Sequence, residues 1–322
     1  MYNINNLIKK TPLQFSKRLS DKFGCKLYLK REDLQLSRSF KIRGAANAIY
    51  KNYYLTKNKE FVCASAGNHA QGVALVTQSI GGKCVIFMPK NTPNQKINQL
   101  YELSNRDIDI HLIGDSIEES MDVAKKYSRK TLKKFIHPYD DADVIAGQST
   151  VADEIFREVR PDTIISCVGG GGLLAGISSY IQSKGCLTNI VGVEAETCPS
   201  LHYSLKNDMR HTCTIKDFFV DGATVATIGE LPFKMIRETD NLHSVVVPTG
   251  KICESIVELY NKDGIITEPA GALAVSSLDL IDKQIIKDKT VVCIVSGGNN
   301  DINRYPEIVD RMLRYQNLKQ YY

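Results

Sequence analysis

Midway along the chain runs Thr163-Ile164-Ile165-Ser166-Cys167-Val168-Gly169-Gly170-Gly171-Gly172-Leu173, an apolar, β-branched run that passes directly into four glycines. The run predicts a buried strand, and the residues after it predict a helix. Glycines at such a junction allow positive φ and a close approach of the backbone to a ligand. Because the first N–H groups of a helix have no partner within it, they can point at a bound anion. We therefore expect a phosphate-binding turn at Gly169, Gly170, Gly171 and Gly172.

Short apolar runs bounded by Gly, Pro or Asn recur on both sides of this turn. They are Cys25–Leu29, Phe61–Ala64, Cys84–Met88, Thr163–Val168, Ile190–Val193, Val245–Val247 and Val291–Val295. Between them lie stretches with helical spacing, such as Ser116–Lys126, which has Ile117, Met121 and Ala124 on one face. Strands that are apolar on both faces and alternate with helices are typical of parallel sheets covered on both sides. The sequence therefore predicts an α/β protein.

The composition excludes several classes of protein. Of the 322 residues, 43% are hydrophobic and 24% are charged, with a net charge of +5 and no Trp. These values exclude a disordered chain, and the scattered charges offer no basic stripe for a nucleic acid. No apolar run approaches the ~18 residues that a membrane span needs, so no membrane partner is expected.

The cysteines and the N-terminus indicate a cytoplasmic protein. The nine cysteines include no Cys-x-x-Cys pair, which argues against a disulfide framework and against a metal site. Cys63, Cys84, Cys167 and Cys293 lie in apolar runs and are expected to be buried thiols. The first ten residues lack the apolar centre of a signal peptide.

Three turns with unusual composition follow predicted strands. They are Ser65-Ala66-Gly67-Asn68-His69, the glycine turn, and Ser296-Gly297-Gly298-Asn299. Ligands of open α/β sheets bind at the carboxyl ends of the strands. We therefore expect these turns to contribute to one site.

The glycine turn by itself leaves the kind of phosphate open. Gly170, Gly172 and Ala175 match a dinucleotide-binding fingerprint, and Glu194 lies about where its ribose-binding acid is expected. A run of glycines can match this pattern by chance, so an NAD-dependent dehydrogenase remains an alternative.

A lysine lies at the start of another predicted helix, in Ser39-Phe40-Lys41-Ile42-Arg43-Gly44-Ala45. The positive end of the helix dipole disfavours the ammonium form of Lys41. An amine that deprotonates readily suits Schiff-base chemistry. A single helical lysine is more often solvated, so its position alone does not establish this role.

Taken together, these motifs resemble those of the pyridoxal-phosphate enzymes of the tryptophan-synthase-β fold (fold type II), and within them the threonine dehydratases, or threonine ammonia-lyases. The matching segments are Lys30–Leu34, Ser39–Ala45, Ser65–Ala74, Gly169–Leu173, Phe219–Ala223, Thr267–Ala272 and Ser296–Asn299. The resemblance runs from about Thr11 to Arg304.

The resemblance implies a role for each predicted site residue. Lys41 would form a Schiff base with pyridoxal 5'-phosphate and take the Cα proton of the substrate. The residues implied to bind the cofactor are Phe40, Lys41, Asn68, Gly169, Gly170, Gly171, Gly172, Leu173 and Ser296. Asn68 would contact the 3-oxygen of the ring, the glycine amides the phosphate, and Ser296 the ring nitrogen. The residues implied to hold the substrate carboxylate are Ser65, Ala66, Gly67, Asn68 and His69.

Two positions favour a lyase over a racemase. Serine racemases of this fold carry Ser where this chain has Ala66, whose side chain cannot transfer a proton. The Ser296 hydroxyl cannot hold a full proton on the ring nitrogen, and the weaker electron sink that results suits β-elimination. The chain departs from its relatives at Ser149, where they usually carry Gly.

The resemblance implies deamination of L-threonine to 2-oxobutyrate and ammonia, with L-serine to pyruvate as a further activity. The alternatives are a pyridoxal-phosphate-dependent racemase, a lyase for a modified β-substituted amino acid, or a non-enzymatic scaffold. Isoleucine-regulated threonine dehydratases continue into a regulatory domain, whereas this chain ends at Tyr322, so inhibition by isoleucine is not expected.

The resemblance also implies the organisation of the molecule. A large domain of residues 1–41 and 143–322 would bind the cofactor, with a small domain of residues 42–142 inserted into it and the cofactor in the cleft between them. A homodimer or homotetramer is expected.

Overall fold

The computed structural model describes residues 7–104 and 108–319, which fall into two compact units. Of these residues, 7–9 and 35–148 form the smaller unit, and 10–34 and 149–319 form the larger unit. Each unit contains its own sheet.

The smaller unit is a four-stranded parallel sheet with strand order β5-β4-β3-β6. Its strands are β3 (Glu60–Ala64), β4 (Lys83–Met88), β5 (Ile108–Leu112) and β6 (Lys134–Phe135). Its helices, with α1 belonging to the larger unit, are α2 (Lys41–Thr56), α3 (Asn68–Ser79), α4 (Asn94–Leu103), α5 (Ile117–Thr131) and α6 (Ala142–Gln148).

The larger unit is a six-stranded sheet with strand order β1-β2-β10-β7-β8-β9, parallel except for the pair β1–β2. Its strands are β1 (Leu13–Phe15), β2 (Lys26–Arg31), β7 (Thr163–Cys167), β8 (Asn189–Ala195), β9 (Leu242–Val247) and β10 (Thr290–Val295). Its helices are α1 (Lys17–Phe23), α7 (Thr150–Phe156), α8 (Gly172–Lys184), α9 (Ser200–Lys206), α10 (Glu230–Arg237), α11 (Thr249–Asp263), α12 (Pro269–Ser276), α13 (Lys283–Ile286) and α14 (Tyr305–Lys319).

The expected domain boundaries, 41/42 and 142/143, stay a prediction, and the compact units change at other residues, namely 9/10, 34/35 and 148/149. Helix α2 packs along α6, so both helices lie wholly within the smaller unit. The contact is close because a Cβ at Gly147 would lie 2.6 Å from the Cα of Gly44. Because α2 and α6 pack against each other, the smaller unit includes both helices and extends from residue 35, before α2, to residue 148, at the end of α6.

The predicted α/β architecture is confirmed, and alternation along single strands explains the two apolar faces. In β3, Phe61 and Cys63 join one core with α2, whereas Val62 and Ala64 join a second core with Ala124 of α5. A strand covered on both faces needs apolar residues at every position. All seven predicted runs lie on strands of the two sheets.

Three short strands were not predicted, and all three are edge strands. Strand β5 alternates apolar and polar residues, while β1 and β6 have only three and two residues. These three strands lack the continuous apolar run on which the prediction rested, whereas the edge strand β9 has one at its end and was predicted.

The described residues contain nine free cysteines, and Cys63, Cys84, Cys167 and Cys293 are buried as predicted. Among these residues no group of three or more His, Cys, Asp or Glu side chains is arranged to hold a metal ion. None of the helices in the described part of the chain is long and apolar enough to cross a membrane.

Candidate active site

Lys41 is the first residue of α2, as predicted, with Phe40 as the N-cap residue. Its Nζ donates a hydrogen bond to the carbonyl of Pro138 at 2.9 Å. The same nitrogen lies 5.3 Å from the centre of the Phe40 ring. Pro138 follows the short strand β6, so a main-chain carbonyl in a loop of the smaller unit orients the Lys41 amine.

The segment Ser65–His69 joins β3 to α3, and the helix begins at Asn68. The Ser65 hydroxyl accepts the Gly67 N–H at 3.2 Å, and no side chain caps the helix. Residues 65–68 are half-buried. Their hydroxyl and amide groups are therefore accessible in part to a small polar ligand.

His69 turns its side chain into the smaller unit, where it is only 2% exposed. Its Nε2 lies 2.9 Å from the carbonyl oxygen of Ile136. Burial, together with the charge of Lys41, lowers the pKa of His69 to about 3. The imidazole is therefore neutral at physiological pH, with Nε2 carrying the hydrogen because a carbonyl can only accept.

Helix α3 lies directly against the start of α2. A Cβ at Gly72 would lie 3.1 Å from the Cα of Ile42 and 3.4 Å from the carbonyl carbon of Lys41. Strands β3 and β6 are also neighbours, so the segments that follow them emerge at one edge of the sheet. The smaller unit thus brings Phe40 and Lys41 together with Ser65–His69.

The glycine turn of the larger unit leads from β7, which ends at Cys167, to α8, which begins at Gly172. Gly171 is the N-cap with φ +88°, and no side chain caps the helix. The turn from Gly170 to Leu173 is buried. A buried helix start with a glycine cap and no side-chain acceptor fits an anionic ligand.

Close packing explains why side chains are excluded from this turn. A Cβ at Gly171 would lie 2.9 Å from the Cβ of Pro232, and one at Gly169 would lie 3.0 Å from the Cα of Ala223. Ala223 belongs to the segment Phe219–Ala223 that carries part of the family resemblance. Only glycine allows this segment and the turn to lie so close together.

Ser296 follows β10, the neighbour of β7 in the sheet. Its side chain is buried, and its Oγ donates to the carbonyl of Ala270 at 3.2 Å. The next carbonyl, of Gly297, accepts the N–H of Glu268 at 3.2 Å. The larger unit thus brings the glycine turn and Ser296 to the same edge of one sheet. The predicted site residues therefore form two groups, one in each unit.

Glu194 does not fit the dinucleotide alternative. Its two carboxylate oxygens accept the N–H groups of Leu201 and His202, both at 2.8 Å, at the start of α9. Burial raises the pKa of Glu194 to about 8, although these hydrogen bonds act in the opposite direction. Because both oxygens are engaged inside the protein, neither is presented to a ribose hydroxyl.

A surface depression of about 560 Å³ lies elsewhere on the smaller unit. Asn52, Asn58 and Lys133 line it, near the amino ends of β3 and β6. It contains none of the predicted site residues, so the candidate site does not rest on it.

Comparison with known proteins establishes the family. The model of the family described as "Pyridoxal-phosphate dependent enzyme" matches residues 4–297. The chain belongs to this family. Among curated relatives, the biosynthetic L-threonine dehydratase of Staphylococcus epidermidis is 44% identical over 325 residues, covering 99% of this chain and 76% of the relative.

Solved structures of other family members have the same fold. The processed form of threonine deaminase isoform 2 from Solanum lycopersicum has a TM-score of 0.89 at 34% identity, covering 96% of this chain and 90% of the other. The serine racemase of Dictyostelium discoideum has a TM-score of 0.84 at 30% identity, covering 93% of this chain and 95% of the racemase chain. This pyridoxal-phosphate-dependent chain is therefore similar to both lyases and racemases.

The residues present fit the cofactor of the family. Lys41 offers a primary amine for its aldehyde, and the glycine turn offers buried main-chain N–H groups for its phosphate. Ser296 offers a hydroxyl for its ring nitrogen, and Asn68 an amide for its ring oxygen. These are the donor types that the group requires.

Nothing in the sequence pointed to two main-chain groups of the site, the Pro138 carbonyl that binds Lys41 and the Ile136 carbonyl that binds His69. Every residue carries a main-chain carbonyl, so nothing in the sequence distinguishes one that binds a lysine. The buried glutamate Glu268, next to Gly297, lies within the matching segment Thr267–Ala272, which was its only signal.

Proposed function

We propose that this chain deaminates L-threonine to 2-oxobutyrate and ammonia, and L-serine to pyruvate and ammonia. The observation that carries the proposal is the 44% identity to a biosynthetic L-threonine dehydratase over 99% of the chain. That alignment spans all the predicted site residues. The Lys41 amine and the buried glycine turn supply the chemistry that such an activity requires.

The cofactor would be held by Phe40, Lys41 and Asn68 in the smaller unit. In the larger unit it would be held by Gly169–Leu173 and Ser296. Bound pyridoxal phosphate supplies an aldehyde that takes up the amino group of the substrate and a ring that draws electrons from its Cα.

Lys41 would act as the base that takes the Cα proton, and the β-hydroxyl would then leave as water by taking up a proton from the Lys41 ammonium so formed. The position of Lys41 at the positive end of α2 supports this role, because the dipole disfavours the ammonium form. The enamine released after loss of water takes up water again and gives the 2-oxo acid and ammonia. Ser65–Asn68 and the main chain of His69 would orient the substrate carboxylate, because the His69 side chain is buried away from solvent.

A racemase remains the second candidate, because serine racemases of the same fold reach 30% identity. Racemisation needs a proton donor on the second face of Cα. The methyl group of Ala66 cannot supply a proton, which supports the lyase.

The test is 2-oxo-acid release by the purified yellow protein given L-threonine and L-serine separately. Rapid formation of 2-oxobutyrate from threonine is the expected result. Chiral analysis of the remaining amino acid tests for racemase activity. D-amino acid without 2-oxo acid would refute the proposed deamination.

We also propose a homodimer or homotetramer in the cytoplasm. Ile302, Val309 and Leu313 of the last helix and the turn before it are exposed, and clustered exposed apolar residues are typical of interfaces. The nine free thiols suit a reducing compartment. Light scattering of the purified protein measures the oligomeric state, and a monomer at micromolar concentration would contradict the oligomer.

A further inference from the structure

We propose that His69 is a positioning residue for Lys41. Through Nε2–H it fixes the segment 136–138, and the Pro138 carbonyl of that segment then holds the Lys41 amine in position whenever the lysine is not bonded to the cofactor. The inference rests on the proposed function in one respect, because it takes Lys41 as the cofactor lysine.

Two hydrogen bonds of equal length connect the residues. His69 Nε2 lies 2.9 Å from the Ile136 oxygen, and Lys41 Nζ lies 2.9 Å from the Pro138 oxygen. Only one residue, His137, separates the two carbonyls along the chain. Any movement of the segment at Ile136 is therefore passed on to the carbonyl that holds Lys41.

Further contacts hold the same segment in place. The Ile136 N–H donates to the Val62 carbonyl of β3 at 2.8 Å, and His137 Nδ1 accepts the Asp140 N–H at 2.8 Å. These contacts fix the segment at its start and beyond Pro138. His69 is the side chain that anchors the Ile136 carbonyl from helix α3.

The neutral state of the imidazole makes it suited to this position. A lysine or arginine donor would bring a full positive charge into this buried position. Burial and the Lys41 charge instead keep the His69 ring uncharged. A neutral donor therefore fixes the Ile136 carbonyl without placing a charge in the core.

The second ring nitrogen shows that His69 makes no other polar contact in the described residues. Its Nδ1 is buried and has no hydrogen-bond partner among them. The polar function of the side chain is therefore concentrated in the single bond to Ile136. This leads to a specific expectation about which substitutions are tolerated.

Glutamine can place its Nε2 where the histidine Nε2 lies, whereas leucine fills similar space without a donor. The experiment compares apoprotein of wild type, His69→Gln and His69→Leu. Each is mixed with pyridoxal phosphate, and the visible absorbance of the lysine-bound cofactor is followed with time. Borohydride trapping and peptide mass spectrometry verify that the cofactor is on Lys41.

We expect capture about tenfold slower in His69→Leu, the effect of one lost hydrogen bond, and within about threefold of wild type in His69→Gln. The control is His111→Leu, whose imidazole binds Asp109 at the other edge of the same sheet and should leave capture unchanged. Wild-type or faster capture in His69→Leu would overturn the proposal. Equally slow capture in folded His69→Gln would overturn it as well.

If thermal melting shows that His69→Leu does not fold, the test rests on His69→Gln, whose capture rate should stay within about threefold of wild type. Capture uses the cofactor without an amino-acid substrate. A wild type that captures the cofactor on Lys41 but releases no 2-oxo acid would therefore refute the proposed function and leave this inference intact.

Discussion

At the scale of single residues, the chemistry of the smaller unit depends on Lys41 and on the groups that surround it. Its Nζ is held by a main-chain carbonyl, its neighbour Phe40 lies beside the amine, and the buried His69 is neutral. A lysine in such surroundings differs from Lys51, which lies on the same helix, is exposed and pairs with Asp143. The two lysines therefore make a matched pair for mutation.

Lys41→Ala should abolish both the visible absorbance of the bound cofactor and 2-oxo-acid release, because no other group in α2 replaces the amine. Lys51→Ala should keep both, since it removes only a solvent-exposed ion pair with Asp143. Absorbance spectra and an assay with L-threonine measure the two effects. Turnover retained in Lys41→Ala would refute the assignment of the cofactor lysine.

At the scale of elements, the residues at the helix ends show why each helix begins and ends where it does. Helix α5 begins after Ser116, as predicted, because the Ser116 hydroxyl accepts the Glu119 N–H at 3.2 Å. The Glu119 carboxylate in turn accepts the Asp115 N–H at 2.8 Å, which resembles a capping box. Helix α8 differs, since a glycine begins it and another glycine, Gly185, ends it.

Substitutions at Gly171 and Gly185 distinguish an effect on cofactor binding from an effect of backbone strain alone. Both have positive φ, but a Cβ at Gly171 meets Pro232 at 2.9 Å, whereas one at Gly185 meets nothing within 4 Å. Gly185→Ala should cost about 1–2 kcal/mol of stability through φ alone and leave cofactor affinity unchanged. Gly171→Ala should cost more and also weaken cofactor retention, because the turn must move. Cofactor titration measures the affinity, and urea unfolding measures the stability. Unchanged cofactor retention in Gly171→Ala would contradict the assignment of this turn as the phosphate site.

The turn after β6 should make stability depend on pH. Burial, with the charge of Lys125, lowers the pKa of His137 to about 4, and its Nδ1 accepts a hydrogen bond that protonation would break. The unfolded chain takes up this proton below about 6.5, the folded chain only below about 4. The stabilisation is therefore complete above pH 6.5 and is lost as the pH falls toward 4, by about 1.4 kcal/mol per unit.

His137→Asn keeps an acceptor near the position of Nδ1 but cannot titrate. Between pH 7 and pH 5, wild type should lose about 2 kcal/mol more stability than this variant. Urea unfolding at the two pH values gives the difference. An equal loss in both proteins would show that His137 does not carry the effect.

At the scale of the whole molecule, the bound cofactor should contribute to stability by mass action, because it binds the folded chain and not the unfolded one. At a free concentration of one hundred times Kd the gain is about 2.7 kcal/mol. Wild-type apoprotein should therefore melt at a lower temperature than the same protein with pyridoxal phosphate. Lys41→Ala should show a smaller shift because it cannot form the covalent bond. Equal melting temperatures with and without cofactor would contradict a site built into the folded chain.

Much of the fold could be predicted because its signals are local. A buried strand needs a continuous apolar run, and a helix needs its own spacing and caps, so the α/β architecture and the start of α5 were predicted correctly. The edge strands β5 and β6 were missed because exposure removes that run. The unit boundaries differed because the packing of α2 on α6 joins segments about a hundred residues apart.

The amino-acid sequence was enough to predict which kinds of groups the site contains, namely an amine at a helix start, a glycine turn after a strand, and a serine after the last strand. These follow from residue type and short spacing, which every chain carries locally. The tertiary structure alone decided which of them are neighbours. The pairing of β10 with β7 brings Ser296 to the edge that carries the glycine turn, and the position of β6 beside β3 brings the Pro138 carbonyl to Lys41. Strand order brings together residues that are far apart in the chain, and main-chain carbonyls have no side-chain signature. Neither the strand neighbours nor the carbonyl contact could therefore be predicted from the sequence.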